Sequence, residues 1–262
     1  MKGTMNLPPS TRLAPPVVDL LGVRVHQITM ADAVDCVRAL IVGGGVHQVV
    51  TVNGAMLVRA ARDLSTRAIL NAATLATADG MGVLLVGKIL GAPFPERVAG
   101  VDLVEQLCRM AAREGYGLYL CGGAPGVPEA AATALQARHP GLRIVGVHHG
   151  FIDGPDTAVL LADIAAAHPH LLLVGMGSPR QEEWIATYGV RFSPIVCIGV
   201  GGTFDVLAGR QRRAPAWMQR AGLEWVYRGM REPKRWKVIA TLPFLVWFAL
   251  KARVAKWRAG TP

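Results

Sequence analysis

Motifs for a catalytic metal or a common nucleotide-binding fold are missing from this sequence. It contains no Asp-x-Asp, and its seven histidines form no His-Glu-x-x-His pair, so frequent ways of holding a divalent metal are absent. No glycine-rich turn completes Gly-x-Gly-x-x-Gly with an acid about 20 residues later. The nearest match to a P-loop, from Gly82 to Lys88, continues with Ile89 where Ser or Thr is needed. We therefore expect no metal site, and dinucleotide and P-loop functions lose support.

Cysteines and long apolar runs are also scarce. The four cysteines lie far apart in apolar contexts without Cys-x-x-Cys, at Cys36, Cys108, Cys121 and Cys197. This pattern favours reduced, packed thiols over disulfides or a metal site. The longest apolar run, from Val238 to Leu250, contains Pro243 and falls short of the roughly 20 residues that a membrane-crossing helix needs. The run could still lie on a membrane surface.

Acidic residues are scarce at one end of the chain. The sequence has 28 Lys and Arg against 18 Asp and Glu. From residue 206 onward, 13 basic residues accompany only Glu224 and Glu232, and the same segment holds five of the six tryptophans. A mixture of Trp and basic residues around a short apolar run is typical of a helix on an anionic membrane. A nucleic-acid-binding function is the alternative, but the Trp and apolar spacing fits lipid better, so we expect no nucleic-acid partner.

Strand-length apolar runs alternate with helix-length amphipathic segments between residues 17 and 205. We expect strands near 17–25, 46–52, 74–78, 117–121, 143–147, 171–175 and 195–200. We expect helices near 31–41, 54–70, 81–89, 102–113, 127–139, 157–167 and 180–188. Several strands are almost wholly apolar, which requires helices on both faces. The sequence therefore predicts an α/β fold, with a mostly parallel, Rossmann-like sheet flanked by helices.

Three segments follow from this pattern. Residues 1–16 are rich in proline and lack the apolar core of a signal peptide, so we expect a flexible leader. Residues 17–205 form the α/β core. We expect residues 206–262 to form a basic, Trp-rich helical C-terminal appendage that associates with the membrane.

Polar side chains follow two of the predicted strands. Thr51 and Asn53 end one strand, and Asp79 ends the next. Ligands of parallel sheets bind at the carboxyl ends of strands, which favours a functional role. Asn and Asp are also common helix caps, so position alone leaves both roles open. Arg97 precedes another predicted helix, where a guanidinium could bind phosphate, although a lone loop arginine is more often a solvated charge.

Glycine-rich turns follow three other predicted strands, and each leads into a helix. Glycine lets a ligand approach the backbone closely, and a helix N-terminus supplies unpaired N–H groups, so such turns suit a diphosphate. The turn at 175–182, Gly-Met-Gly-Ser-Pro-Arg-Gln-Glu, is the most specific of them. The candidate binding residues in the three turns are Gly122, Gly175, Gly177, Gly201 and Asp205.

Several of these motifs together resemble the WecG/TagA/CpsF glycosyltransferase family, also called glycosyltransferase family 26. They are Thr51-Val52-Asn53, Ala78-Asp79-Gly80, Glu96-Arg97-Val98-Ala99-Gly100, the turn at 175–182, and Gly-Val-Gly-Gly-Thr-Phe-Asp at 199–205. They occur in order between about residues 17 and 237. The resemblance implies an inverting enzyme that moves a sugar from a UDP donor to an undecaprenyl-diphosphate-linked acceptor in cell-surface polysaccharide biosynthesis. The sugar is N-acetylmannosamine, its uronic acid or glucuronic acid.

The resemblance also assigns roles to residues of the core. Asp79 corresponds to the catalytic base, and Thr51 and Asn53 are its neighbours in the acceptor and donor pocket. Arg97 corresponds to a substrate-binding cation, and Gln181 to a contact of the donor. These roles are expectations that the sequence alone does not test.

In the appendage, the resemblance assigns substrate-binding cations to Arg228 and Arg235, whereas a third basic position falls on Val238. We expect a peripheral enzyme at the cytoplasmic face of the plasma membrane, with no cofactor and no metal. The alternative is a nucleotide-binding α/β oxidoreductase or epimerase, which the glycine-rich turns favour. The sequence leaves open which sugar is transferred, the pathway, and whether the chain forms a homo-oligomer.

Overall fold

A parallel sheet forms the centre of the computed structural model, which describes residues 15–152, 156–220, 223–231 and 242–258. Its strands are β3 (Val46–Val52), β4 (Leu75–Ala78), β5 (Gly117–Gly122), β6 (Arg143–His148), β7 (Leu171–Gly175) and β8 (Ile195–Gly199). The order across the sheet is β4-β3-β8-β7-β5-β6, and every neighbouring pair is parallel. The predicted α/β class with a mostly parallel, Rossmann-like sheet is therefore confirmed.

A small antiparallel hairpin precedes this sheet. Its strands are β1 (Val17–Leu20) and β2 (Val23–His26). The single strand predicted at 17–25 was wrong, because Gly22 adopts φ +90° and donates its N–H to Asp19 Oδ1 at 2.8 Å, which closes a turn. His26 Nδ1 lies 3.1 Å from Ala76 N and 3.2 Å from Ala76 O. The hairpin thereby covers backbone groups at the outer edge of β4.

Helices cover both faces of the sheet. They are α1 (Met30–Gly43), α2 (Gly54–Arg62), α3 (Leu64–Ala72), α4 (Met81–Ile89), α5 (Gly100–Glu114), α6 (Val127–Arg138), α7 (Asp156–Ala167), α8 (Arg180–Tyr188), α9 (Thr203–Leu207), α10 (Ala216–Arg220), α11 (Glu224–Arg231) and α12 (Leu242–Arg258). The single helix predicted at 54–70 was wrong. Asp63 ends α2, and its carboxylate accepts hydrogen bonds from Ser65 N and Thr66 N at 3.1 and 3.0 Å, which starts α3.

Three apolar clusters fill the space between the sheet and its helices. Every residue of β7 and β8 is buried, as the uninterrupted apolar sequence of these strands requires. This burial fixes the sheet between two helical layers. The carboxyl ends of its strands are therefore the part of the sheet where turns and helix N-termini meet.

The C-terminal helix α12 packs on the core through one face. Leu245 and Ala249 are 1% and 0% exposed and belong to the same apolar cluster as α2 and α4. A Cβ placed on Gly82 or Gly54 would lie 3.1 or 3.2 Å from Leu245 Cδ2, so glycine at both positions lets the helix approach closely. In the described part of the chain, no helix combines the length and apolar character needed to cross a membrane.

Candidate active site

Asn53 and Asp79 emerge side by side from the sheet. Strands β3 and β4 are parallel neighbours, with Val52 opposite Ala78, so the residue that follows each strand lies at the same edge. The backbone N–H of Asp79 donates to Val52 O at 2.8 Å and fixes this alignment. The structure thus brings together two polar residues that lie 26 positions apart in the sequence.

The Asp79 carboxylate is placed between two helix starts. Gly80, at φ +89°, occupies the N-cap position of α4, and no side chain caps that helix. Asp79 is therefore not the N-cap of the helix that follows it. Its Oδ2 instead accepts a long hydrogen bond of 3.4 Å from the N–H of Gly100, the first residue of α5. Asp79 is half-buried at the end of β4.

Thr51 and Asn53 line the same corner of the molecule, which is the place where β3 and β4 end and α5 begins. Asn53 Oδ1 accepts a hydrogen bond from Met56 N at 3.1 Å, so its carbonyl oxygen caps α2, as the structural alternative predicted. Thr51 is buried, and its Oγ1 would lie 3.2 Å from a Cβ on Gly100. Because Gly100 has no side chain, α5 can begin directly against Thr51 and Asp79.

Arg97 belongs to a chain of alternating charges beside this corner. Arg97 Nη2 lies 3.3 Å from Glu224 Oε2, and the other oxygen of Glu224 lies 3.7 Å from Arg213 Nε. Both Nη atoms of Arg213 also donate hydrogen bonds to the Asp102 carboxylate, at 2.6 and 3.0 Å. The sequence analysis did not identify Arg213, Glu224 or Asp102 as site residues. The sequence did contain a signal for Glu224, because it is one of only two acidic residues in the basic segment after residue 205.

Two of the candidate glycines are required by the protein's own packing. A Cβ on Gly122 would lie 2.5 Å from the backbone of Gly175, and Gly123 N donates to Gly175 O at 3.0 Å. A Cβ on Gly175 would lie 2.8 Å from Phe204 and 2.9 Å from Gly201 O. These glycines let the turns that follow β5, β7 and β8 lie against one another.

Gly177 and Gly201 are different. Both have positive φ, +79° and +53°, and a Cβ on either would meet no atom within 4 Å. Open space therefore borders the backbone at Gly177, which precedes α8, and at Gly201, which precedes α9. This geometry lets a ligand approach the backbone closely at both glycines.

Gln181 joins two of these turns. Its Oε1 accepts from Gly201 N at 2.9 Å, and its Nε2 donates to Glu182 Oε1 at 2.6 Å. Gln181 is only 4% exposed, so both ends of its amide are held by protein groups. Burial raises the pKa of Glu182, and the hydrogen bond from Gln181 offsets part of that effect. Asp205 lies in the first turn of α9, within the third glycine-rich segment.

The predicted appendage cations are only partly described. The backbone of Arg228 lies in α11, four residues after Glu224, whereas Arg235 and Val238 lie outside the described residues. Within the described ranges, no group of three or more His, Cys, Asp or Glu side chains is arranged to hold a metal ion.

Comparison with known proteins identifies the family of this chain. Residues 18–259 match the Glycosyl transferase WecG/TagA/CpsF family. Proteins from Staphylococcus aureus strains MW2 and NCTC 8325 / PS 47 are 32% identical over 238 residues, which cover 90% of this chain and 93% of each relative. Both are named N-acetylglucosaminyldiphosphoundecaprenol N-acetyl-beta-D-mannosaminyltransferase. The chain therefore belongs to the WecG/TagA/CpsF family of glycosyltransferases and is a hexosyltransferase.

Proposed function

We propose that this hexosyltransferase moves N-acetylmannosamine, or a uronic acid in its place, from a UDP donor to a polyprenyl-diphosphate-linked sugar. The names of its relatives support an N-acetylmannosaminyl donor and an N-acetylglucosaminyl-diphosphoundecaprenol acceptor. The observation that carries the proposal is the Asp79 carboxylate at the meeting point of β4 and α5. Val98 N donates to Ala78 O at 2.9 Å, which places the backbone of Arg97 beside the same strand end. The family assignment removes the support for an oxidoreductase or epimerase.

Asp79 acts in this proposal as the general base. It takes the proton of the acceptor hydroxyl while that oxygen forms a bond to the anomeric carbon of the donor sugar. The bond from the anomeric carbon to the UDP oxygen breaks at the same time, on the opposite face, so the configuration inverts. Thr51 and Asn53, which contact the same corner, help to define the space for the two sugars.

The leaving UDP carries increasing negative charge that the site must stabilise. We assign this task to guanidinium groups and backbone N–H groups in place of a metal. Arg97 is one such cation, and the turn at Gly177 offers open backbone at the start of α8, whereas the Gly201 N–H is already bonded to Gln181. Gln181 acts indirectly, because its amide holds the Gly201 turn and is buried.

The acceptor's lipid suggests a membrane-facing surface, and α12 offers one. Opposite its buried face, α12 exposes the apolar side chains Phe244, Trp247, Leu250 and Val254. Lys251 Nζ lies 5.3 Å from the centre of the Trp247 ring, which places a cation among them. We propose that this face, together with the basic segment after residue 205, attaches the enzyme peripherally to anionic lipid at the cytoplasmic side of the membrane.

This surface lies close to the candidate base. Leu245, on the buried side of α12, lies against the positions of Gly54 and Gly82, which follow Asn53 and Asp79 by one and three residues. A helix on the membrane surface would therefore bring the corner that holds Asp79 close to the head group of a lipid-linked acceptor. This proximity supports the assignment of a lipid-linked substrate.

A donor screen tests the proposal. UDP-N-acetylmannosamine, its uronic acid and UDP-glucuronic acid are incubated with a short-chain prenyl-diphosphate N-acetylglucosamine, and products are identified by mass spectrometry. We expect transfer from one of these donors, and we expect it to persist in excess EDTA. Absence of transfer from all of them contradicts the proposed substrates, and loss of turnover in EDTA with rescue by magnesium or manganese contradicts the metal-independent mechanism. Asp79→Asn provides the control for background hydrolysis.

A further inference from the structure

Arg213 links three parts of the molecule that converge on the candidate site. It precedes α10 and forms a forked ion pair with Asp102, in the first turn of α5. Its Nε lies 3.7 Å from Glu224, at the start of α11. Such a two-pronged pair fixes orientation as well as distance, because the planar guanidinium matches the carboxylate.

The guanidinium of Arg213 is charged at physiological pH, and its neighbours raise its pKa further. Burial alone would lower the pKa of its guanidinium, but Asp102, with contributions from Glu224 and Asp79, raises that pKa above its ordinary value. The Asp79 carboxylate is thus close enough to act on Arg213 electrostatically. Arg213 is a permanent positive charge among three acids, and Arg97 is the second cation of the group.

Both helices that Arg213 joins bear on the transfer site. The first N–H of α5 donates to Asp79, so the position of α5 affects the orientation of the base. Glu224 of α11 contacts Arg97, and Arg228 follows one helical turn later. A small displacement of either helix would therefore move the base relative to the cations.

We propose that Arg213 is a positioning residue for sugar transfer, which clamps the start of α11 against the start of α5 and so sets Arg97 and Asp79 in their working arrangement. The inference rests on the proposed function, since it assigns Arg213 to the same reaction. Arg213 acts through Asp102 and Glu224. It therefore affects turnover more than it affects the binding of UDP at the glycine-rich turns.

An ion pair elsewhere on α5 provides a matched control. Arg138 Nη1 lies 2.8 Å from Glu105 Oε2. Glu105 follows Asp102 by three residues on the same helix. This pair joins the same residue types through a single Nη contact and a more exposed guanidinium, 44% against 22% for Arg213, and it contacts neither α11 nor Asp79 in any described interaction. Arg138→Met should therefore report what the loss of an ordinary ion pair costs.

The experiment compares Arg213→Met with Arg138→Met in the full-length chain. Melting temperature, UDP affinity by calorimetry, and kcat with saturating donor and acceptor are measured for each. We expect Arg213→Met to lower kcat at least about tenfold, since sub-ångström to ångström displacements of a reacting group carry costs of this order. UDP affinity should fall by much less than kcat, and Arg138→Met should keep both quantities near the wild-type values.

A charge exchange separates positioning from simple stabilisation. Asp102→Arg combined with Arg213→Asp restores an ion pair between the two positions but places an acid opposite Glu224. We expect this double variant to regain only part of the melting temperature that Arg213→Met loses, because the new acid faces Glu224, and we expect it not to regain kcat. Wild-type kcat in the double variant, or in Arg213→Met, overturns the positioning role. Wild-type turnover is measured first, because a wild-type enzyme that transfers no sugar refutes the proposed function, whereas an active Arg213→Met refutes only this inference.

Discussion

Replacement of Asp79 by Asn tests the assignment of the catalytic base. The change keeps the size of the side chain and an oxygen that can accept a hydrogen bond, but it removes the group that takes a proton. The structure makes the expected loss of stability small. Gly80, and not Asp79, is the N-cap of α4, and the hydrogen bond from Gly100 N to the Asp79 carboxylate is a long 3.4 Å.

The two possible roles of Asp79 differ in magnitude. Loss of a helix cap costs about 1 kcal/mol, and Asn retains much of the capping ability. For a chain of this size, that corresponds to a change in melting temperature of at most about 4 °C. Loss of a general base slows the reaction by roughly 10²–10⁴-fold, which is about 2.7–5.4 kcal/mol in the activation free energy. We therefore expect a near-native melting temperature and a kcat at least about a hundredfold lower.

Asp63 supplies the control for capping. Its carboxylate accepts hydrogen bonds from Ser65 N and Thr66 N at the start of α3, so Asp63 is the N-cap of that helix. Asp63→Ala should lower the melting temperature and leave kcat per folded molecule unchanged. The assay is transfer to a short-chain acceptor, with UDP-sugar affinity measured in parallel. If Asp79→Asn instead melts early and turns over normally, Asp79 is structural, and Asp205 becomes the next candidate for the base.

Three further outcomes test other parts of the structure. Gly177→Ala should weaken UDP binding in a folded protein because a side chain enters the open space beside the turn. Gly91→Ala, at a similar φ of +78° with equal space, should cause the same strain without that loss, and equal UDP affinities by calorimetry would move the donor site elsewhere. Changing Trp247 and Leu250 together to Ser should reduce co-sedimentation with anionic vesicles while α12 stays packed through its other face; unchanged co-sedimentation would argue against this surface. Burial raises the pKa of Glu182, so its contribution to stability is present below its unfolded pKa and is lost as pH rises through the folded pKa. Glu182→Gln should consequently gain melting temperature relative to wild type as pH increases from about 4 to 8, and a pH-independent difference in thermal unfolding would refute this.

Part of the candidate site followed from local sequence. Thr51, Asn53 and Asp79 were identified because each lies at the end of an apolar run, and strands of a parallel sheet end at one edge. The structure places them as expected, with Val52 opposite Ala78. The sequence could not separate a cap from a base, since both roles use the same residue types at the same position. Only the backbone at Gly80 shows that Asp79 is not the N-cap of α4.

The glycine-rich turns show a second limit. From the sequence, Gly122, Gly175, Gly177 and Gly201 are all candidates for ligand binding. In the structure, neighbouring backbone or Phe204 occupies the space that a side chain would need at Gly122 and Gly175, whereas Gly177 and Gly201 border open space. A glycine needed for close packing and a glycine needed for ligand access look alike until the partner atoms are known.

The sequence by itself determined the class of fold and the edge of the sheet where the site lies, because the period of apolar residues and the residues that end each strand are local properties. The tertiary structure decided which charges meet there. Arg213 pairs with Asp102 across 111 positions, and Arg97 with Glu224 across 127. It also decided that Leu245 of the C-terminal helix lies against Gly54 and Gly82. Contacts of this kind depend on how distant segments pack, and no local pattern of residues encodes them.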